Sequence, residues 1–213
     1  MTPAHHPEGD DLVAYASGAS SEWVSLVVAC HLTYCAECRS EVALLDQLGG
    51  ALLDGINPEE GSGPPRETAP AGREPARPRR SSSPIAARLP RPLHDYFRDP
   101  SPRWRFLAPG LQHVPLTLTV GSVPARLLQF KPAFVVPEHA HTGLEMLLVL
   151  DGELQDSVTR EVFRTGDLSR REEGTTHSQR ISSNEPCICL VVNETPVDPT
   201  SMWGKVLKAL TGL

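Results

Sequence analysis

Two groups of metal-ligating side chains, about a hundred residues apart, constrain this chain more than any other feature. The first is His31, Cys35 and Cys38, spaced H-x3-C-x2-C. The second is His139, His141 and Glu145, spaced H-x-H-x3-E, with His177 further on. Imidazole mixed with thiolate suits a closed tetrahedral zinc site. Imidazoles mixed with a carboxylate suit zinc, iron, manganese or nickel. A soft site at one end and a harder one at the other predict two modules, each with its own task.

The 213 residues allow one large domain or two small ones. No apolar run reaches the length of a membrane span. The opening MTPAHHPEGDD has no basic stretch followed by an apolar one, so no secretory signal is expected. Of the five cysteines, Cys30, Cys35 and Cys38 cluster beside His31. This pattern fits metal binding in a reducing compartment better than a disulfide framework, and a cytoplasmic location is expected. Residues 1–60 hold ten acidic side chains and one basic one, Arg39. That surface repels nucleic acid, which counts against direct DNA binding, and attracts a basic protein face.

Asp10 or Asp11 is expected to cap a helix over about 11–17 that ends at Gly18. Ser20 or Ser21 caps a second, with Trp23, Leu26, Val27 and Cys30 at helical spacing. A third runs from about Ala36 to Leu53, with Val42, Leu44, Leu45, Leu48, Leu52 and Leu53 in a wide apolar stripe. Three short helices bury little surface, so a metal cross-link would help the unit at 1–58 to fold. Residues 59–101 are expected to form a Pro/Arg-rich linker, since thirteen of the 21 prolines fall between 58 and 115. Within it, Ile85–Phe97 regains apolar residues and reads either as a last helix of the first module or as a docking arm. From 102 to 195 short segments such as PLTLTV, ARLLQF, EMLLVLDG and CICLVVN predict an antiparallel barrel or jelly roll. At 196–213, Trp203, Val206, Leu207 and Leu210 share one face of an expected amphipathic helix. The expected fold class is thus α plus all-β.

On a helix, Cys35 and Cys38 project from one face and His31 lies one turn earlier. A fourth ligand could be His6, His5, Cys30 or water; His6, 25 residues upstream of His31, leaves room for one helix to run out and another to return. The motif and the acidic helical unit around it resemble the zinc-binding anti-sigma domain. That resemblance implies wrapping of an ECF (extracytoplasmic function) sigma factor as a 1:1 heterodimer, which occludes its polymerase-binding surfaces. Several members of that family switch by cysteine oxidation. With no cysteine before Cys30, a simple thiol switch is disfavoured here.

His139 and His141 would share a strand face, with Glu145 and His177 arriving from neighbouring strands to make a four-ligand site. These residues resemble the cupin motifs. His139, His141, Glu145 and Gly152 match the first, with Ala133 at its leading glycine. Gly166, Gly174 and His177 match the second, with Glu172 and Ile181 at its proline and asparagine. A cupin behind a zinc anti-sigma domain resembles the ChrR-type anti-sigma factors. This implies inhibition of a group IV sigma factor by the first module, and release through the cupin on an oxidative, singlet-oxygen signal. Zinc would fill both sites. Cys187 and Cys189 share a strand face near the upper limit for a disulfide, about 6.5–7 Å between Cα atoms. Core packing is the expected role and a redox pair the other. The alternative function is a metal-dependent cupin dioxygenase or isomerase with a helical appendage, which would need open coordination positions.

Overall fold

A computed structural model describes residues 2–56, 84–99, 101–118 and 125–195, with the backbone of 198–199. Within the helix expected at 196–213, Asp198–Pro199 pairs instead as a short strand with Ala140 and His139; the rest of that segment and the linker through residue 83 lie outside the described residues. Three helices lead: α1 (Gly9–Ala16), α2 (Glu22–Leu32) and α3 (Ala36–Asp54). Asp10 and Asp11 sit inside the first turn of α1 rather than capping it, where carboxylates oppose the helix dipole favourably. Gly18 follows at φ +70°, a left-handed residue past the helix end. Ser21 holds the N-cap position of α2 without a side-chain bond. Cys35 caps α3, its Sγ accepting from the Cys38 N–H at 3.4 Å.

The linker expected up to residue 101 ends earlier. Residues 86–96 form two 3-10 turns, Ala86–Arg88 and Arg91–Tyr96, and bury Ala86, Leu89 and Leu93. This segment is a docking arm, not an α-helix: Pro90 and Pro92 deny it continuous backbone donors. It packs against α2 and closes onto the following sheet through a Phe97–Leu116 bridge.

Among the described residues eleven strands follow: β1 (Arg105–Ala108), β2 (Leu111–Pro115), β3 (Ala125–Phe130), β4 (Val135–Ala140), β5 (Glu145–Asp151), β6 (Glu153–Asp156), β7 (Val162–Arg164), β8 (Leu168–Arg171), β9 (Thr176–Arg180), β10 (Cys187–Asn193) and β11 (Asp198–Pro199). They form two antiparallel sheets, ordered β1-β2-β3-β10-β5-β8 and β11-β4-β9-β6-β7. Ala133, at the cupin motif's leading glycine, adopts φ 59°, the left-handed backbone that glycine would supply without strain.

The run EMLLVL in β5 is buried along its whole length. An antiparallel strand with one wet face would alternate, so burial of every position means that both faces are covered. Leu147 and Val149 pack with Leu128, Phe163, Cys187 and Cys189 inside the sandwich. Met146, Leu148 and Leu150 join Leu127 and Leu190 on the opposite face, in one cluster with Leu26, Val27 and Val28 of α2 and Leu93 of the arm. The helical unit therefore shares a hydrophobic core with the larger sheet. Leu93, fully buried at this seam, is expected to destabilise the chain by about 2–5 kcal/mol when changed to alanine. Denaturant unfolding of Leu93→Ala checks this; an unchanged midpoint would contradict the shared core.

Candidate metal centres

The first site is assembled from three pieces of chain. His6 lies on the segment before α1, His31 on the last turn of α2, and Cys35 and Cys38 at the start of α3. Their donor atoms lie within 4.8 Å of one another. His6 Nδ1 is 3.4 Å from Cys35 Sγ and 3.3 Å from Cys38 Sγ. Tetrahedral zinc, with bonds of about 2.0–2.3 Å, sets such N···S edges near 3.5 Å. His31 Nδ1 lies 2.8 Å from the Gly166 carbonyl, an acceptor, so Nδ1 carries the proton. Nε2 is then left as a lone pair, buried with no hydrogen-bond partner. A buried, orphaned lone pair aimed at two thiols and an imidazole is the donor set a zinc ion fits. Burial, followed by the neighbouring Cys35, pushes the metal-free Cys38 thiol up to about 12, so its proton must leave as an ion enters. His5 is not part of this group. Its Nδ1 lies 3.4 Å from Asp167 Oδ2, and its ring packs against Phe163.

The second site lies inside the sandwich. His139 in β4 is directly opposite His177 in β9. Glu145 opens β5, and His141 sits just past β4, its N–H donating to Thr175 O. A bulge between Val136 and His139 interrupts the simple alternation expected for that strand. All four side chains are buried. His177 Nε2 is 3.0 Å from His139 Nε2 and 2.9 Å from His141 Nε2. Glu145 Oε1 lies 3.8 Å from both His141 Nε2 and His177 Nε2.

Proton placement tests whether an ion fits there. His139 Nδ1 is 2.9 Å from Pro137 O, so it donates and Nε2 is bare. His177 Nδ1 is 3.1 Å from Asp156 Oδ2. Burial alone would raise the Asp156 carboxyl, but the Thr159 and Val158 amides and His177 hold it below its ordinary value. Asp156 is thus an ionised acceptor and His177 Nε2 is bare as well. Two lone pairs facing across 3.0 Å repel, and a cation between them removes the repulsion. Glu145 is held in turn by Asn193, whose Nδ2 donates to Oε2 at 2.6 Å.

The partners of these ligands carry no signal in the ligand spacing. Asp156 is 21 residues from His177 and Asn193 is 48 from Glu145. Only strand register, β5 beside β10, brings Asn193 opposite Glu145. Cys187 and Cys189 lie outside both donor groups. Their sulfurs are 3.6 Å apart and buried among Leu147, Val149 and Val191. Burial, then Cys187, drives the Cys189 thiol well above its ordinary value, which suppresses the reactive thiolate.

The family profile described as the ChrR cupin-like domain matches residues 96–197. The anti-sigma-E factor ChrR of Cereibacter sphaeroides is 37% identical over 215 residues, 98% of this chain and 98% of that protein. This chain belongs to the ChrR family of anti-sigma factors. One chain of the crystal structure of Rhodobacter sphaeroides SigE in complex with the anti-sigma ChrR overlays at a TM-score of 0.70 and 34% identity. The overlay covers 91% of this ChrR-family chain and 100% of that one. Both donor groups thus sit in a chain that matches ChrR along nearly its whole length.

Burial first, and then for His177 the neighbouring His139, lowers His141 and His177 from 6.5 to about 4 in the metal-free fold. The unfolded chain binds more protons between those values. The stability these groups contribute is therefore full above about 6.5 and is lost as pH falls towards about 4. The denaturant midpoint of metal-free protein is expected to drop over that interval; a flat profile would contradict the buried neutral imidazoles. Asp156→Asn is expected to weaken metal binding at the second site by about 10–100-fold, read by chelator competition.

Proposed function

We propose that this chain is an anti-sigma factor that holds an ECF, group IV sigma factor in a 1:1 complex and blocks its association with RNA polymerase. The observation that carries the reading is the end-to-end likeness to ChrR, including a chain crystallised with SigE. Local physics supports it. Of the 19 residues of α3, only Cys38 and Val42 are buried. Leu44, Leu48 and Leu52 repeat every four residues along it and are 65%, 57% and 65% exposed, with Leu53 at 69% and Ile56 at 65%. A contiguous apolar stripe of that size on a water-facing helix fits a protein partner. The acidic surface around it favours encounter with a basic face.

In this reading each site holds zinc: His6, His31, Cys35 and Cys38 in the first, and His139, His141, Glu145 and His177 in the second. The ion supplies a rigid, closed coordination that fixes the approach of the chain segments it joins. The first ion staples the start of α3 to α2 and to the N-terminal segment, and so presents the apolar stripe. The second site is the sensor. Imidazoles are targets of singlet oxygen, and damage to a ligand there would strain the sandwich. Strand β8 is the shared part. Arg171 reaches Asp156, the partner of His177, at 3.3 Å, while Arg170 lies 3.5 Å from Asp11 and 3.6 Å from Glu8 beside α1. A disturbance at His177 therefore has a short path to the helices, and release follows if the bound state loses more stability than the free one. Cys187 and Cys189 serve as core packing in this scheme.

The chain is read as acting in the cytoplasm and without catalysis. No helix among the described residues is long and apolar enough to cross a membrane. The cupin-enzyme alternative draws on the same imidazole–carboxylate set, and metal content separates the two readings. Zinc in both sites accords with a sensor, while iron in the second site with oxygen consumption would favour an enzyme.

The test is co-purification with an untagged ECF sigma factor. The full chain should retain it at 1:1. Leu48→Asp and Leu52→Asp together should weaken retention by at least about 2 kcal/mol with metal content unchanged. A chain that retains no sigma factor, or one indifferent to both substitutions, would refute the reading or the surface respectively.

A further inference from the structure

Asp167 stands where the cupin meets the first metal site. Its Oδ1 accepts from the backbone N–H of Ala4 at 2.6 Å and of His5 at 3.0 Å. Its Oδ2 accepts from Arg164 N at 2.7 Å and lies 3.4 Å from His5 Nδ1. The next amide, Leu168 N, donates to His5 O at 3.1 Å. These bonds fix the two residues immediately before His6. That segment precedes α1 and lies in neither helix nor strand. Its helical neighbours therefore do not by themselves impose a backbone path on His6.

Gly166, the residue before, holds the other histidine. Its carbonyl accepts from His31 Nδ1 at 2.8 Å. Its φ is +94°, and a Cβ there would lie 2.8 Å from Pro3 Cγ and 2.9 Å from Tyr34 Cβ. A glycine is needed both for the backbone conformation and for this close approach. Tyr34 adds a bond across the same seam, its hydroxyl donating to Leu150 O at 3.2 Å. One dipeptide of the sandwich thus sets the ring of His31 and the peptide leading to His6. Neither residue is itself a ligand. Carbonyls and carboxylates that hold a ligand histidine fix its tautomer and aim, and their loss weakens metal affinity.

We infer that Asp167 is a positioning residue for the first metal site, through which the cupin, together with Gly166, tightens a site to which it contributes no ligand. The inference rests on the zinc reading of that site given above. Asp167 also caps its own turn through Arg164, so a purely structural role within the cupin is the competing explanation. The two differ in which site suffers.

The experiment is a cobalt(II) and zinc titration of the full chain. Only the first site offers thiolates, so the sulfur-to-cobalt charge-transfer band reports it alone; zinc competition then gives the affinity of each site. Wild type should show the band. Asp167→Asn should lower first-site affinity by about 10–100-fold, while the cupin site keeps its own. His5→Pro, which removes the amide N–H held by Asp167 Oδ1 and leaves every cupin residue in place, should shift the first site in the same direction. Unchanged first-site affinity in Asp167→Asn, or an equal loss at both sites, overturns the inference and leaves the zinc reading standing. Should Asp167→Asn not fold, His5→Pro decides, and unchanged first-site affinity there overturns the inference. Absence of the band in wild type overturns the zinc reading and this inference with it.

Discussion

The imidazole of His31 is the point where the two halves of the molecule are tied. Its Nδ1–H is spent on a carbonyl of the sandwich, Gly166 O. The opposite nitrogen is thereby left bare and buried, facing two thiols and His6. Neither half makes this arrangement alone. The helices and the segment before α1 supply the donor atoms, and the turn before β8 selects the tautomer that leaves one of them free to ligate. A neutral imidazole free to turn could present either nitrogen; this one cannot.

The same dependence appears in the apolar core. β5 and β10 alternate between two hydrophobic clusters, one inside the sandwich and one beneath α2 and the arm. A cupin sheet with its outer face in water would expose Met146, Leu148, Leu190 and Val192. Here the helical unit covers them, and the arm at residues 84–97 closes one edge of that contact. The chain thus combines a covered face, where the modules meet, with an uncovered one, the outer stripe of α3. Apolar surface that has no partner among the described residues is what a binding protein must retain, and an ion held by His6, His31, Cys35 and Cys38 would supply stability that burial of that stripe would otherwise have given.

Much of this was legible in the residues. The periodicity of Trp23, Leu26, Val27 and Cys30 marks α2 and, after Ser21, its start, and that of Val42 through Leu53 marks α3 to within about a residue at each end. The ligand spacing marks both donor groups, and the preference for His6 over His5 agrees with the observed cluster. α1 begins at Gly9, ahead of the expected start, because Asp10 and Asp11 suit a first turn as well as a cap. The arm at 84–97 was ambiguous because its prolines mimic a linker while its leucines are core. What could not be read was the outer layer: Asp156, Asn193, Asp167 and the Gly166 carbonyl. Each touches its histidine, carboxylate or peptide across 21 to 163 residues of chain, through strand register or interdomain packing that no local pattern encodes. The apolar run of β5 has the pattern of a strand buried on both faces, but it does not say what lies on the second side.

The most direct measurement is sigma-factor retention by the full chain as a chelator withdraws the metal, with ion loss from the thiolate site followed in the same sample. Release of the sigma factor in step with loss of the ion held by His6, His31, Cys35 and Cys38 is the predicted result. A metal-free chain that keeps its partner bound with undiminished affinity would contradict the role given to that ion.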